Sequence, residues 1–300
     1  MKILLLGKDG QVGWELQRSL APLGELRACG RDEADLENID AVCALINGFR
    51  PDAIVNAAAY TAVDKAESEP DKARAINALA VGRLARQAAR HGAWLIHYST
   101  DYVFDGGKPA PYREDDPANP LSVYGRTKRE GEQLILDAAG RHLIFRTSWV
   151  YAARGGNFAR TMLRLAKERE TLSVVADQHG APTSAELIAD VTALALHRIG
   201  GATEADRLAG IYHLAAAGTT TWHGYAQYVL ELARANGAAL KAGPERAVPI
   251  ATEGYPVPAQ RPKNSRLDTA KLEHAFGLRL PDWRHHVRRL VGELAAQGIL

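Results

Sequence analysis

The chain has little cysteine, no long apolar run and no excess of one charge. Among 300 residues only Cys29 and Cys43 are cysteines, which excludes a disulfide framework and a C-x-x-C motif. The 37 lysines and arginines against 35 aspartates and glutamates give a formal net charge of +2. This balance provides neither a basic field for nucleic acid nor an acidic tail. The ten histidines are scattered, without metal-ligand spacing such as H-E-x-x-H.

Membrane and secretory segments are also missing from the sequence. No stretch approaches the roughly 18 apolar residues that a membrane helix needs. The apolar run at residues 3–6 stops at Gly7, which makes it too short for the apolar core of a signal peptide. Hydrophobic residues at 46% and charged residues at 24% are ordinary for a globular protein. With two unpaired cysteines, this pattern predicts a cytoplasmic protein without membrane or nucleic-acid partners.

Short apolar runs alternate with helical patterns through the first half of the chain. Strands are predicted at residues 2–7, 25–29, 53–56, 94–99 and 143–147, and helices at 12–20, 39–49, 71–90 and 123–138. Apolar strands joined by crossover helices are typical of a parallel sheet covered on both faces. We therefore predict an α/β fold with a doubly wound parallel Rossmann sheet.

Beyond about residue 150 the alternation becomes less regular. Helices are predicted there at 158–168, 184–197, 222–236, 268–276 and 282–296, with short strands at 172–175 and 211–214. Residues 243–266 are rich in proline and are expected to be mostly loop, with at most one short strand. We predict a dinucleotide-binding Rossmann domain over residues 1–150. A smaller α/β domain over 151–300 would bind mainly the substrate, with some segments returning to the first domain.

A G-x-x-G-x-x-G pattern, GKDGQVG at residues 7–13, directly follows the first predicted strand and opens a helix. In this setting Gly7 permits the tight turn, Gly10 lets the backbone approach a pyrophosphate, and Gly13 lets the helix pack close to the sheet. Backbone N–H groups at the helix start then bind the anion. The pattern predicts a dinucleotide cofactor.

The end of the second predicted strand bears on which cofactor binds. An arginine there pairs with the 2′-phosphate of NADP, whereas an acidic residue hydrogen-bonds the ribose of NAD. The chain has Arg31 followed by Asp32, so NADPH is favoured and NADH stays an alternative. Asp35 and Leu36 are expected to contact the adenine.

A candidate catalytic group comes from two separate segments. Tyr124 and Lys128 are four residues apart, which places both on one face of a helix. Thr100 follows the fourth predicted strand, and that edge of an open α/β sheet borders the ligand crevice. Reducing a ketone requires a proton on its oxygen, which tyrosine can supply if a nearby ammonium lowers its pKa from about 10. A hydroxyl such as that of Thr100 can steady the carbonyl oxygen.

Motifs across nearly the whole length resemble the extended short-chain dehydrogenase/reductases, and among them the dTDP-4-dehydrorhamnose reductase family. The segments that carry the resemblance are GKDGQVGWELQ, VNAAAYTAVDKAESEP, HYSTDYVFDG, NPLSVYGRTKREGE, FRTSWVYA, NFARTMLRLAKERE, DQHGAPTSAELIAD and RPKNSRLD. The resemblance implies NADPH-dependent reduction of the 4-keto group of dTDP-4-dehydro-L-rhamnose to dTDP-L-rhamnose, for surface polysaccharide such as lipopolysaccharide. It also implies that Tyr124 is the proton donor, Lys128 its modulator and Thr100 the carbonyl partner.

The resemblance also assigns binding residues. Asp101 and Trp149 match sugar-nucleotide contacts of the family. The positions that match its cofactor contacts are Gly10, Gln11, Val12, Arg31, Asp35, Leu36, Ala59, Tyr60, Thr61 and Tyr98. By their chemistry, Asn157 and Arg261 are candidates for the diphosphate, with a helix cap and a surface salt bridge as the alternatives.

Some relatives resemble a magnesium-linked homodimer, and the matching glutamates are Glu15, Glu186 and Glu293. A shared divalent cation would relieve the repulsion between clustered carboxylates at a two-fold interface. The alternative is that all three are solvated residues on helix surfaces. The expectation is therefore a homodimer in which magnesium has a structural role.

Three other functions stay open on the sequence. A sugar-nucleotide 4,6-dehydratase shares the fold, but needs an acid after the Thr-Asp pair, where this chain has Tyr102. A 4-epimerase retains its own NAD, and Arg31 argues modestly against this function because it favours NADPH. A non-catalytic regulatory subunit, similar to that of methionine adenosyltransferase, has no need to keep Thr100, Tyr124 and Lys128 together.

Overall fold

A computed structural model describes residues 1–202 and 204–300. Its strands are β1 (Lys2–Leu6), β2 (Glu25–Cys29), β3 (Ala53–Asn56), β4 (Trp94–Thr100), β5 (His142–Thr147), β6 (Val150–Tyr151), β7 (Leu172–Val175), β8 (His179–Gly180), β9 (Thr183–Ser184), β10 (Gly210–His213), β11 (Thr220–Thr221) and β12 (Ala247–Ile250). Its α-helices are α1 (Gln11–Leu20), α2 (Ile39–Phe49), α3 (Val63–Ala66), α4 (Pro70–Arg74), α5 (Ala80–His91), α6 (Val123–Asp137), α7 (Phe158–Glu168), α8 (Ala185–Gly201), α9 (Trp222–Ala235), α10 (Ala270–Phe276) and α11 (Trp283–Ala296).

The centre of the fold is a six-stranded parallel sheet in the order β2-β1-β3-β4-β5-β10. In β1, Ile3 lies opposite Leu26 of β2 and Ala53 of β3. Residues 3–6 and all of β3 are buried, because helices cover both faces of the sheet. The predicted doubly wound Rossmann fold is confirmed.

The chain changes direction across the sheet between β1 and β3. From β1 it winds outward to β2, then crosses back to β3 on the other side. At such a switch point the loops after neighbouring strands separate and leave a crevice at their carboxyl ends. The glycine-rich loop after β1 and the polar segment after β4 therefore border one crevice.

The helix predicted at residues 71–90 is interrupted. In the structure, α4 passes through a π-helical turn at Ala75–Leu79 into α5. Asn77 in this turn accepts a hydrogen bond from the backbone N–H of Tyr60 (2.9 Å) and donates to the carbonyl oxygen of Tyr60 (3.0 Å) and to the Thr127 hydroxyl (3.3 Å). The local helical pattern did not reveal these contacts with distant residues, and such bulges recur at functional sites.

The second half of the chain both extends the main sheet and builds a separate layer. Strand β10 pairs with β5, and α8 packs against α1. The strand pairs β7–β12, β6–β9 and β8–β11 form three small sheets. One buried apolar cluster joins residues of both halves, such as Leu5, Phe145, Leu163 and Val229. The division into domains near residue 150 stays a prediction.

Within the described residues, no helix has both the length and the apolar character required to cross a bilayer.

Candidate active site

The glycine-rich loop makes a tight turn between β1 and α1. Gly7 has a φ of 84°, and a Cβ there would lie 2.7 Å from the backbone nitrogen of Ala58. A Cβ on Gly13 would overlap the backbone of Gly7. Gly10 occupies the N-cap position of α1 and has no side chain to cap the helix. The N–H groups of the first turn of α1 can therefore bind an anion such as a pyrophosphate.

A cleft of about 640 Å³ opens at this edge of the sheet. Its lining includes most of the residues predicted for cofactor and substrate, namely Gly7, Gly10, Gln11, Val12, Arg31, Asp35, Leu36, Ala59, Thr61, Tyr98, Thr100, Asp101, Tyr124, Lys128 and Trp149. Gly13 is not part of the lining and packs instead against the backbone of Gly7. Segments far apart in the sequence thus meet at one site.

The start of α6 places Tyr124 in the cleft. The Ser122 hydroxyl caps the helix by accepting a hydrogen bond from the Gly125 N–H at 3.1 Å. A Cβ on Gly125 would overlap the carbonyl of Tyr102, so this glycine lets α6 begin directly against the turn that follows β4. The rings of Tyr124 and Tyr102 pack edge to face with centroids 5.6 Å apart.

Burial sets the proton affinity of Tyr124. Sequence reasoning expected Lys128 to lower the pKa of this phenol, but burial instead raises it to about 12, partly offset by the Thr100 hydroxyl. Lys128 Nζ contacts the Tyr98 carbonyl oxygen at 2.6 Å and His97 Nε2 at 3.2 Å. Tyr124 is therefore a protonated phenol at neutral pH, the form that can donate a proton.

Lys128 itself is almost completely buried. It is 1% exposed, and burial lowers its pKa to about 8, opposed by the negative charge of Glu132 one turn further along α6. Desolvation disfavours the ammonium form of a buried lysine. The charge of Lys128 is therefore sensitive to small changes in its surroundings near neutral pH.

Three residues of the cleft lining have a buried side-chain oxygen without a close hydrogen-bond partner. Ser99 Oγ, Asp101 Oδ2 and Thr147 Oγ1 have no hydrogen-bond partner among the described residues, although all three residues line the cleft. Asp101 Oδ1 accepts a hydrogen bond from Thr100 at 3.0 Å, and burial raises the pKa of this carboxyl to about 6. Since buried polar groups are normally paired, the ends of β4 and β5 have unused hydrogen-bonding capacity beside the cleft.

Trp149 holds an unusual backbone conformation at the mouth of the cleft. Its φ is 49°, which is rare for a bulky residue. Its indole stacks on that of Trp222 with centroids 3.7 Å apart, and a Cβ on Gly180 would lie 2.7 Å from the Trp149 ring. The stack holds the strained residue in place, as at sites where position matters for ligand binding.

Arg31 lies at the far end of the cleft, where it is largely exposed. Its guanidinium pairs with Asp35 at 3.3 Å and also with Glu37, and Lys72 pairs with Glu37 at 3.3 Å. Two cations therefore lie near the position that the sequence predicts for a 2′-phosphate.

Three predicted binding residues make protein contacts instead of lining this cleft. Tyr60 directs its hydroxyl to Glu69 at 2.8 Å. Asn157 caps α7 and donates a hydrogen bond to Gln11 Oε1 at 3.1 Å. Arg261 forms a two-pronged pair with Asp64 at 2.8 and 3.1 Å, and lines a neighbouring cavity of about 1050 Å³. The contacts of Asn157 and Arg261 are the helix cap and the salt bridge that the sequence left open as alternatives. Ligand binding by all three residues stays a prediction.

The three glutamates predicted to bind magnesium lie on neighbouring helices. Burial raises the pKa of Glu15, and the nearby charges of Glu186 and Glu293 add to this effect. Glu186, however, accepts two hydrogen bonds from Arg289 at 3.0 and 3.1 Å. Across residues 1–202 and 204–300, no group of three or more His, Cys, Asp and Glu side chains is arranged to hold a metal. The glutamates of one chain do not fit a magnesium site.

Sequence reasoning missed several residues that line the cleft. Thr147 ends β5 just as Thr100 ends the neighbouring β4, so the same rule about strand ends would have found it. Ile76 enters the cleft from the π-helical turn, which no local signal indicated. Tyr102 was noted only for not being an acid, although its ring packs against Tyr124.

Comparison with known proteins connects this site with a family. A family model described as RmlD substrate binding domain matches residues 1–296. The chain belongs to this family. It is 55% identical over 302 residues to the dTDP-4-dehydrorhamnose reductase of Shigella flexneri, with 98% of each chain covered. It is 51% identical over 302 residues to that of Burkholderia thailandensis, which covers 99% of this chain and 100% of the relative.

A solved structure shares the fold over the same length. It is the dTDP-4-dehydrorhamnose reductase of Bacillus anthracis in complex with NADP, which is 34% identical with a TM-score of 0.88. The match covers 98% of this chain and 100% of that chain. The family expected from the motifs is confirmed, and with it an oxidoreductase that uses NAD(P)H.

Proposed function

We propose that this chain catalyses the NADPH-dependent reduction of the 4-keto group of dTDP-4-dehydro-L-rhamnose to dTDP-L-rhamnose. One observation carries the proposal: Thr100, Tyr124 and Lys128 meet in the cleft that also contains the glycine-rich loop. The membership of the chain in a family whose relatives carry this name supports it.

The cofactor would lie along the loop and the sheet edge. Its pyrophosphate fits the first turn of α1, where Gly10 leaves the backbone N–H groups open. The adenosine end would lie between Arg31, Asp35 and Leu36, which line the same cleft. When bound, the reduced nicotinamide supplies the hydride that the carbonyl carbon receives.

Tyr124 and Thr100 act on the carbonyl oxygen. As that oxygen gains negative charge, the Tyr124 hydroxyl gives it a proton, and Tyr124 becomes a phenolate in the cleft that Lys128 also lines. The Thr100 hydroxyl can donate a hydrogen bond to the same oxygen, which stabilises the developing charge. The reaction is then balanced: one hydride on carbon and one proton on oxygen turn the ketone into an alcohol.

Asp101 and Trp149 orient the sugar nucleotide. Asp101 and Trp149 both line the cleft, and the flat indole of Trp149 offers a stacking surface. The 4,6-dehydratase alternative lacks support, because an aromatic ring, that of Tyr102, packs against Tyr124 where a carboxyl acid would be needed.

The decisive experiment is incubation of the purified protein with the 4-keto sugar nucleotide and NADPH. The loss of NADPH absorbance is followed, and the product is identified by mass spectrometry and NMR. One dTDP-L-rhamnose per NADPH consumed is the expected result. Cofactor binding without turnover would favour a regulatory subunit, and interconversion of sugars without net NADPH consumption would favour an epimerase.

The preference for NADPH over NADH is expected to depend on Arg31. Its contact with a 2′-phosphate is charge-assisted, so Arg31→Ala should weaken NADPH binding roughly tenfold and leave NADH binding nearly unchanged. Titration of both cofactors by calorimetry measures this. Arg234→Ala is a suitable control, because Arg234 also pairs with a surface glutamate but lies on α9. Equal losses for both cofactors would contradict the role of Arg31.

Cytoplasmic localisation stays a prediction from the two free cysteines.

The expected assembly of the protein is a homodimer. Trp14 of α1 and Leu194 of α8 are large exposed apolar side chains on two helices that pack together, and such side chains suit contact with a second copy. Sedimentation of the protein and of Leu194→Arg tests this, since the added charge should favour the monomer.

A further inference from the structure

Two buried polar side chains, Asn56 and His97, form a hydrogen-bonded chain that ends at Lys128. Asn56 ends β3 and His97 lies beside it on β4, and each is 1% exposed, as is Lys128 itself. Asn56 Nδ2 lies 3.2 Å from His97 Nδ1, and His97 Nε2 lies 3.2 Å from Lys128 Nζ. Nothing in the reduction described above makes use of Asn56 or His97.

The orientation of the Asn56 amide decides which histidine nitrogen carries the proton. Asn56 Oδ1 accepts a hydrogen bond from the Ala58 N–H at 3.2 Å, so its NH₂ group faces His97. His97 Nδ1 must then accept. Burial lowers the pKa of His97 well below its usual range, so the ring is neutral and its single proton is on Nε2.

This arrangement constrains Lys128. A histidine Nε2–H that points at Lys128 Nζ needs a lone pair there, and a neutral amine has one whereas an ammonium has none. The amine still donates a hydrogen bond to the Tyr98 carbonyl at 2.6 Å. Protonating Lys128 would require the proton of His97 to move from Nε2 to Nδ1. The Asn56 amide would then have to flip, so that Oδ1 faces His97 and accepts from Nδ1. The Ala58 N–H, at the edge of the cofactor cleft, would then lose its acceptor.

Few other charges act on Lys128. Glu132 lies one turn along α6, and it is paired with Arg146 and Arg129. The π-helical turn Ala75–Leu79 that packs on α6 contains no titratable side chain. On α4, Arg74 is turned to the surface, where it pairs with Glu130, and Arg83 of α5 pairs with Asp40. Asp101, in the turn after β4, bonds with Thr100.

We propose that Asn56 and His97 form a relay of positioning residues that holds Lys128 in place and sets its protonation state. Within the proposed reductase, the relay favours the uncharged amine over the ammonium and ties the charging of Lys128 to the backbone at Ala58. Only the activity measurement below rests on the proposed function, because the titration of Lys128 is made on the protein without cofactor or substrate.

The test is a pH titration of Lys128 by NMR in protein labelled with ¹³C at lysine Cε. The Lys128 signal is identified by its absence in Lys128→Met. His97→Gln offers Lys128 a carbonyl oxygen that accepts from an ammonium, so the Lys128 transition should move upward by roughly one pH unit. His213→Gln is the matched control: His213 is also buried and neutral, but it bonds with the Tyr112 carbonyl, and its loss should leave the transition in place.

A second variant tests the relay at a residue that does not touch Lys128. In Asn56→Asp, the carboxylate requires a proton on His97 Nδ1, so Nε2 becomes an acceptor for the ammonium and the Lys128 transition again moves upward. In the His97→Phe background the same change should move it much less, since the ring nitrogens are gone. The alkaline limb of the reductase rate should shift in parallel with the NMR transition.

Two results would overturn the proposal. One is a Lys128 transition that stays in place in both His97→Gln and Asn56→Asp while circular dichroism shows both folded. The other is an equal shift from Asn56→Asp with and without His97, which would mean that the added charge acts directly through space. If the NMR shifts appear but no reduction is measured with any variant or the parent chain, the proposed function fails and the relay stands.

Discussion

Individual residues in the cleft owe their proton affinities to burial more than to charged neighbours. Tyr124, Lys128 and Asp101 all have pKa values displaced toward the neutral form, to about 12, 8 and 6 respectively. Desolvation disfavours any charge, whichever its sign, and this common cause explains all three shifts. The site is thus suited to a neutral carbonyl group whose oxygen becomes negatively charged only during the reaction.

Replacing Tyr124 by phenylalanine tests the proton donor. Tyr124→Phe should lower the turnover number roughly 10²–10⁴-fold, because general acid catalysis is lost while the packing of the ring against Tyr102 is kept. The dissociation constant for NADPH, measured by calorimetry, should change little. Tyr228→Phe is the control, since its hydroxyl contacts Arg288 on the surface. Turnover above about half of the parent value in Tyr124→Phe would contradict the assignment.

Asp101 should make the folded protein less stable as pH rises. Its unfolded pKa is near 3.8 and its folded pKa is about 6, so between these values the unfolded chain loses a proton that the folded chain keeps. The free energy of unfolding therefore falls across this range, by an amount on the order of 1–3 kcal/mol. Asp101→Asn should remove this loss, raising the melting temperature at pH 7.5 while lowering reductase activity.

The measurement is thermal unfolding of both proteins from pH 4 to pH 8. Their melting temperatures should approach each other toward the acid end, where the carboxyl becomes protonated in both states. They should separate between about pH 4 and pH 6 and keep a constant difference above that range. A constant difference at every pH would mean that Asp101 acts through packing.

At the scale of elements, the glycine-rich loop holds α1 against the end of β1. Gly13→Ala would place a methyl group on the backbone of Gly7, and the loop would have to move. Such overpacking costs about 1–3 kcal/mol, so NADPH should bind roughly 10- to 100-fold more weakly. Gly48→Ala is the control: Gly48 is an exposed residue of α2 with nothing within 4 Å of a Cβ, so this change should stabilise the helix slightly. Unchanged NADPH affinity in Gly13→Ala would contradict this account of the loop.

At the scale of the whole molecule, a buried ion pair joins α6 to the main sheet. Arg146 of β5 donates two hydrogen bonds to Glu132 at 2.8 Å each, and its third contact is the Glu114 carbonyl oxygen at 3.3 Å. The Glu114 carboxylate accepts a hydrogen bond of 2.9 Å from the backbone N–H of His213, which lies on β10. The helix that carries Tyr124 and Lys128 is thereby connected to the strand contributed by the second half of the chain.

Breaking this pair should destabilise the protein strongly. Arg146→Met leaves the Glu132 carboxylate buried with much of its compensation gone, which costs about 3–5 kcal/mol. Arg164→Met, which breaks an exposed pair with Glu168 on α7, should change stability by less than about 0.5 kcal/mol. Chemical denaturation measures both. The double variant Glu132→Leu/Arg146→Met should recover part of the loss, and failure to do so would mean that Arg146 acts mainly through its other contacts.

The sequence by itself determined the parallel Rossmann sheet, the glycine-rich loop and the Tyr124–Lys128 pair, because each depends on short-range spacing: apolar strands, three glycines, and two residues one helical turn apart. The π-helical turn at Ala75–Leu79 was decided by Asn77 and its contacts with Tyr60 and Thr127, which no local pattern contains. The tertiary structure also decided the pKa of Tyr124, because this pKa depends on how completely the fold removes water from the Tyr124 hydroxyl. The contacts of Lys128 with His97 and Tyr98 also arise only when α6 packs against β4, since they join residues about 30 positions apart.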